Sequence, residues 1–304
     1  MLRHRVPSAL VLAALFLLVL WGDERLASFV LPVPWRWITL GGPSFFPGAL
    51  LLLAAFALSI LGARELAAIL QGKGITASRR ITSFAACVGL IVSCLIPRDL
   101  HDPGGQAFSG VAVVATAAVL VLTGAILFYA RGRNTQGVIA AVGGTLLAFV
   151  YLGLMFGFYL GIRRDHSAWM IFWVVATVKS CDIGAYFTGR SLGRHKLIPW
   201  LSPGKTWEGL AGGVALSALA SVGWLLLLRS AGVVGFPGYL PALLAGVIFG
   251  LVGQAGDLLE SLFKRDAGFK DAGGTLPGFG GILDVLDSPL LVAPVAYWWV
   301  VAWM

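Results

Sequence analysis

Nine apolar stretches of roughly membrane-spanning length, separated by short charged or glycine-rich connections, constrain this chain more than any other feature. They run approximately Val6–Trp21, Ser44–Leu61, Ile81–Ile96, Phe108–Tyr129, Val138–Ile162, Ala168–Phe187, Leu210–Leu228, Tyr239–Phe263 and Pro289–Trp303. A bilayer needs ~20 apolar residues per helix, so a few of these are short, but no soluble domain fits between them. The expectation is an all-α integral membrane protein, a polytopic bundle of about nine transmembrane helices. The chain is 58% hydrophobic and 12% charged, far from the ~25% charged residues of a soluble domain. Residues 26–42, with Trp35 and Trp37, read as an interfacial connection that could include a short re-entrant piece.

The net charge of +8 does not point to nucleic acid, because Lys and Arg are scattered among the short connections and form no basic stripe. They instead alternate along the chain. Arg3 and Arg5 precede the first run, Lys73, Arg79 and Arg80 follow the second, and Arg131 and Arg133 follow the fourth. Arg190, Arg194, Lys196 and Lys205 follow the sixth, while the intervening connections hold fewer, such as Arg98 with Asp99 and Asp102. By the positive-inside rule the N-terminus is cytoplasmic and the C-terminus lies outside after nine crossings. The connections after the sixth and eighth runs then share the cytosolic side. Cys87, Cys94 and Cys181 all lie in apolar runs without metal-ligand spacing and read as packing residues.

Gln254 to Ser288 is where chemistry begins. The eighth apolar run carries Asp257, Glu260, Lys264 and Arg265 without a break, and opens into a glycine-rich connection ending in Asp284 and Asp287. A carboxylate inside a membrane helix is costly and marks a functional site by default. At 100° per residue, Gln254, Asp257, Ser261 and Lys264 share one helix face, while Leu258, Leu259, Leu262 and Phe263 take the other. Asp257, Asp271, Asp284 and Asp287 offer hard oxygen ligands with no His or Cys among them, which favours Mg²⁺ over zinc or copper. Lys264, Arg265 and Lys270 add positive charge beside that metal, an arrangement suited to polyphosphate. Gly280 and Gly281, with the glycines before them, allow close backbone approach to a ligand. Glu65, beside Arg64, reads as an interfacial ion pair of little weight.

The stretch from Lys179 to Gly209 is the second informative one. Lys179, Asp182 and Tyr186 share a helix face, and Lys179 and Asp182 can serve as each other's partner. Gly204-Lys205-Thr206 falls short of a phosphate-binding loop, since the first glycine of GxxxxGKT is missing and the context reads as helical. A Lys and a hydroxyl just before a helix that starts near Trp207 can still meet phosphate at the helix N-terminus. Gly143-Gly144 and Gly212-Gly213 read as close helix contacts.

These two stretches together resemble the phosphatidate cytidylyltransferases, or CDP-diacylglycerol synthases. The carrying residues are Asp182-x-Gly184-Ala185-Tyr186-Phe187, Gly189-Arg190, His195-Lys196 and Ser202-Pro203-x-Lys205-Thr206-Trp207-Glu208-Gly209. Downstream they are Ser261-x-x-Lys264-Arg265, Lys270-Asp271, Pro277-Gly278-x-Gly280-Gly281 and Leu283-Asp284-x-x-Asp287-Ser288. The specific match covers about Lys179 to Ser288; the first half matches only as membrane helices. The resemblance implies an enzyme of the cytoplasmic (inner) membrane that uses CTP and phosphatidate or a related phospholipid.

Its products would be CDP-diacylglycerol and pyrophosphate. The resemblance further implies a homodimer, Mg²⁺ in one or two sites, and a monovalent cation as a further option. It makes Asp257 and Asp284 the metal-site aspartates. Lys264, Arg265, Lys270, Asp271 and Asp287 become the polar catalytic motif, and Ser202, Lys205 and Thr206 the substrate-facing loop. Asp182, Arg190, His195, Lys196, Ser261, Gly280 and Gly281 fall in the matched motifs as further substrate-binding candidates. Two positions depart: Phe279 stands where the family usually has His, and Val285 where it usually has Arg. The chain divides accordingly into residues 1–165, a scaffold of about five helices with lipid or dimer contacts, and residues 166–304, a catalytic region. The readings that compete are a polyprenyl-lipid cytidylyltransferase, a CTP-dependent lipid kinase, and a transporter or inactive regulatory homologue.

Overall fold

The computed structural model describes residues 2–30, 46–95, 110–132, 135–233, 235–269, 273 and 280–304. Trp35, Trp37, Arg98, Asp99, Asp102, Arg133, Lys270, Asp271, Pro277, Gly278 and Phe279 lie outside the described residues. The helices are α1 (Leu2–Ser28), α2 (Ala49–Gly72), α3 (Arg79–Leu95), α4 (Gly110–Ala130), α5 (Val138–Ala148), α6 (Met155–Asp165), α7 (Trp169–Leu192), α8 (Trp207–Ser230), α9 (Tyr239–Asp266) and α10 (Leu283–Trp303). A π-helical segment, Phe149–Leu154, joins α5 and α6 into one continuous rod. Among the described residues this makes nine helical rods, of which seven are long and apolar enough to cross a membrane. The chain is thus an all-α polytopic membrane protein.

Three element boundaries differ from the expectation, each for a physical reason. Helix α2 runs on past Leu61 to Gly72, because Glu65 in its extension is buried rather than placed in the interface. Helix α10 starts at Leu283, ahead of Pro289, so Asp284 and Asp287 stand on its first turns and not in a loop. Pro289 stands inside this helix, where it lacks the amide that would otherwise donate to Val285 O. Finally, Lys196–Ile198 (β1) and Ser202–Thr206 (β2) form an antiparallel hairpin where a helical context was expected. Thr206 ends that hairpin and caps α8, its hydroxyl accepting from Gly209 N at 3.1 Å.

Helices α7, α8 and α9 pack by small residues and interhelical hydrogen bonds, as membrane helices do without a hydrophobic drive between them. A β-carbon on Gly213 would lie 2.7 Å from Cys181 O, so α7 and α8 approach backbone to backbone at the expected Gly212-Gly213 contact. Ser217 Oγ donates to Thr177 O at 3.0 Å, Trp173 Nε1 to Ser221 O at 2.9 Å, and Ser221 Oγ to Ala242 O at 2.7 Å. One apolar core, including Leu66, Leu152, Phe156, Trp173, Phe249 and Leu290, runs through both halves of the chain.

Ion pairs mark the two ends of the bundle. Lys73, after α2, reaches Asp266 at the end of α9 at 2.8 Å. At the other end Asp23 of α1 meets Arg163 of α6 at 2.6 Å. The hairpin, the α2–α3 turn and the C-terminal end of α9 therefore share one end. At 1.5 Å per residue, Asp257 sits about 14 Å inside the end of its helix.

Candidate active site

A cleft of about 490 Å³ opens between α7, the hairpin, α8 and α9. It is lined by Asp182, Tyr186 and Arg190 from α7, by Ser202, Lys205 and Thr206 from β2, and by Gln254 and Asp257 from α9. The hairpin is short and antiparallel, which carries Lys205 back over the helix ends toward α9. Its ammonium lies 2.8 Å from Asp257 Oδ2 and donates to Gln254 O at 3.3 Å. Gln254 Nε2 in turn donates to Asp182 Oδ1 at 2.8 Å, and Lys179 Nζ donates to Asp182 Oδ2 at 3.3 Å. The two informative stretches of sequence thus meet in one site.

Behind the cleft, carboxylate oxygens of Asp257, Glu260 and Asp287 lie within 4.8 Å of one another. Helix α9 presents Asp257 and Glu260 one turn apart, and α10 brings Asp287 against them. Gly256 makes this approach feasible, since a β-carbon there would lie 2.6 Å from Asp287 O. Glu260 and Asp287 are nearly inaccessible, at 1% and 5% exposure. Lys179 lies 3.8 Å from Asp287 Oδ1. Lys264 bridges Glu260 at 2.8 Å and Asp284 at 2.6 Å, and Gly281 N donates to Asp284 Oδ2 at 2.6 Å.

In these ion pairs, among the described residues, three ammonium groups face five carboxylates. Closely spaced acidic oxygens with an excess of negative charge are a donor set for a hard divalent cation. Tyr151, on the π-helical segment, is buried, and its hydroxyl has no hydrogen-bond partner among the described residues. Its ring stands edge-on to Phe263 of α9, centroids 6.2 Å apart, within electrostatic reach of Asp257, Glu260 and Asp287. π-helical turns inside α-helices are frequent at functional sites.

Not every residue singled out in the sequence joins this group. His195 is 78% exposed and its Nδ1 pairs with Glu208 Oε1 at 2.6 Å, while Glu208 also accepts from Arg194 N at 3.1 Å. That pair fastens the hairpin to the start of α8. Lys196 and Arg265 are exposed, Ser261 is half-buried, and Arg190 donates to Tyr186 Oη at 3.0 Å at the cleft wall. Gly280 is half-buried with a φ of 94°, a left-handed conformation that favours glycine. Sequence reasoning left out Tyr151, named Glu260 without a role, and read Glu65 as an interfacial ion pair with Arg64, whereas Glu65 is buried and accepts the Leu283 amide. Only Glu260 carried a local signal, its spacing of three from Asp257.

A family model described as the cytidylyltransferase family matches residues 35–303. The chain belongs to that family. The chain is 35% identical over 222 residues to a phosphatidate cytidylyltransferase of Bacillus subtilis, covering 72% of this chain and 79% of that protein. A protein of the same name from Synechocystis is 32% identical over 280 residues, covering 82% and 87%. Another from Staphylococcus epidermidis is 31% identical over 259 residues, covering 82% and 88%. Membership in the cytidylyltransferase family makes this a cytidylyl-transferring membrane enzyme.

Proposed function

We propose that this cytidylyltransferase converts CTP and phosphatidate to CDP-diacylglycerol and pyrophosphate. A phosphate oxygen of the lipid attacks the α-phosphorus of CTP; the new P–O bond forms as the bond to the β-phosphate oxygen breaks, and pyrophosphate leaves. The nucleophile is already an anion, so the protein's part is positioning and charge neutralisation. The observation that carries the reading is the meeting of Lys205 with Asp257 across a cleft that backs onto buried carboxylates. Lys205 would exchange its carboxylate partner for a phosphate oxygen, and Arg190 at the cleft wall would steer the polyphosphate in. The relatives' shared name supports the lipid substrate.

Asp257, Glu260 and Asp287 fit Mg²⁺ by their oxygen chemistry and spacing, and Asp284 belongs to the same charge network through Lys264. Bound there, Mg²⁺ supplies charge neutralisation to the triphosphate. The alternation of basic connections supports a cytosolic N-terminus and a cytosolic cleft in the cytoplasmic membrane. A homodimer, and a division of labour between a scaffold before residue 165 and a catalytic region after it, complete the reading. The test is purified protein in detergent with CTP, Mg²⁺ and phosphatidate, reading pyrophosphate release and lipid product. Equimolar pyrophosphate and CDP-diacylglycerol, abolished by EDTA and restored by Mg²⁺, are expected. Turnover of polyprenyl phosphate but not phosphatidate, or release of CDP in place of pyrophosphate, would overturn the assignment.

A further inference from the structure

We infer that Glu65, on a helix far from the catalytic stretch in sequence, is a positioning residue that sets the start of α10 for the transfer reaction. This rests on the cytidylyl-transfer reading. Glu65 is 8% exposed, and its Oε2 accepts the amide of Leu283, the first residue of α10, at 2.9 Å. The first amides of a helix have no intrahelical acceptor, and a carboxylate there both satisfies one and complements the helix dipole. The same carboxylate is hemmed in by two glycines. A β-carbon on Gly281 would lie 2.5 Å from Glu65 Oε2, and one on Gly273 would lie 3.0 Å from Oε1. A β-carbon on Gly281 would also lie 2.9 Å from Gly273 N, so the two glycines meet at Glu65.

What Glu65 holds is what the site depends on. Gly281 N donates to Asp284, and Asp284 is joined to Lys264. One turn further along α10, Asp287 meets Asp257 and Glu260. Glu65 itself belongs neither to the cleft lining nor to the grouped carboxylates. Its effect on turnover therefore passes through the placement of Asp284 and Asp287. A misplacement of ~1 Å in a supporting element can cost ~10²-fold in rate.

The test compares wild type, Glu65→Gln and Glu65→Ala, with Gly281→Ala as an independent way to push on the same carboxylate. In Glu65→Ala, hydrogen–deuterium exchange should quicken in a peptide spanning 280–286 and not elsewhere. The rate with CTP and phosphatidate should fall about 10²-fold, and half-saturation by Mg²⁺ should move to higher concentration. Glu65→Gln keeps an oxygen for the Leu283 amide and should recover part of both effects; Gly281→Ala should reproduce them. A role in general stability would lower the melting temperature and leave the Mg²⁺ dependence and the local exchange alone. That outcome, or a wild-type rate in Glu65→Ala, overturns the inference. If exchange responds as expected but wild type transfers nothing from CTP to any lipid phosphate, the transferase reading fails and the contact stands.

Discussion

The bundle buries charge at both of its ends, and the two clusters are built on opposite principles. At the end away from the cleft, Asp23 is 1% exposed and accepts from Gly48 N at 3.1 Å, Leu50 N at 2.9 Å and Leu51 N at 3.3 Å. Arg163 supplies the countercharge at 2.6 Å and donates onward to His166 O at 3.1 Å, while Glu24 accepts from Ala168 N at 2.9 Å. Each acid there is matched to an amide or a guanidinium, and the cluster ties α1 to the start of α2 and to the α6–α7 join. The other end sets more carboxylates than ammonium groups side by side, with an unpartnered Tyr151 hydroxyl among the described residues. Buried ionic groups that only hold a fold are satisfied by their neighbours; acids that outnumber the paired ammonium groups among the described residues suit a bound hard cation.

The comparison breaks most sharply at the two aspartates. Asp257→Asn keeps the shape, removes a cation ligand and should lower turnover by about 10³-fold, the scale of losing one preorganised electrostatic group. Its thermal midpoint should be no lower than wild type, because the change relieves repulsion among neighbouring acids. Asp23→Ala should do the reverse. It removes the nearest partner of the Arg163 guanidinium, which keeps Glu24 at 3.3 Å, and strands three amides, a loss of about 3 kcal/mol of stability, while protein that remains folded keeps its specific activity. Activity per folded molecule, measured beside thermal melts in the same detergent, separates the two. Equal stability losses in both variants would erase the distinction.

What the sequence made legible follows the same division. Asp257 stood out because a carboxylate deep in an apolar run has few structural uses, and Lys179 with Asp182 because their spacing pairs them on a helix. The bundle itself was readable from nine apolar runs. Glu260 was passed over although it lies one turn from Asp257, because its burial depends on α10. Glu65 and Tyr151 were out of reach, since their meaning lies in contacts across more than a hundred residues of chain. The start of α10 was misjudged because Pro289 reads as a boundary, whereas the helix accommodates it in its early turns. Asp23 and Arg163 drew no notice, since each sits at a helix end where charges usually face water.

Lys205 sharpens the comparison from the other direction, because its structural partner and its proposed functional partner compete for one ammonium group. Lys205→Met should cost about 2–5 kcal/mol of transition-state stabilisation, the range for truncating a buried charge contact. Stability should change less than in Asp23→Ala, since the Asp257 side chain is about a third exposed and the hairpin is held by Glu208. Unchanged turnover and KM for CTP in this variant would return the hairpin to a purely structural role.

The smallest expected effect belongs to Thr206, which lines the cleft yet spends its hydroxyl on the backbone. Its side chain is buried, and its oxygen accepts from Gly209 N where α8 begins. An N-cap of this kind is worth about 1 kcal/mol on replacement by Ala. Thr206→Ala should therefore lower stability by about that amount, and Thr206→Ser, which keeps the oxygen, should restore it. The effect on KM for CTP decides whether the residue has a second task. If the hydroxyl serves the helix alone, KM stays near wild type in both variants once folded protein is counted. A rise in KM in Thr206→Ala that Ser reverses, larger than the stability loss accounts for, would move Thr206 from the frame of the cleft to its contact surface. The same hydroxyl can still donate its proton while its lone pair accepts from Gly209, which is why stability and KM must be read on the same preparations.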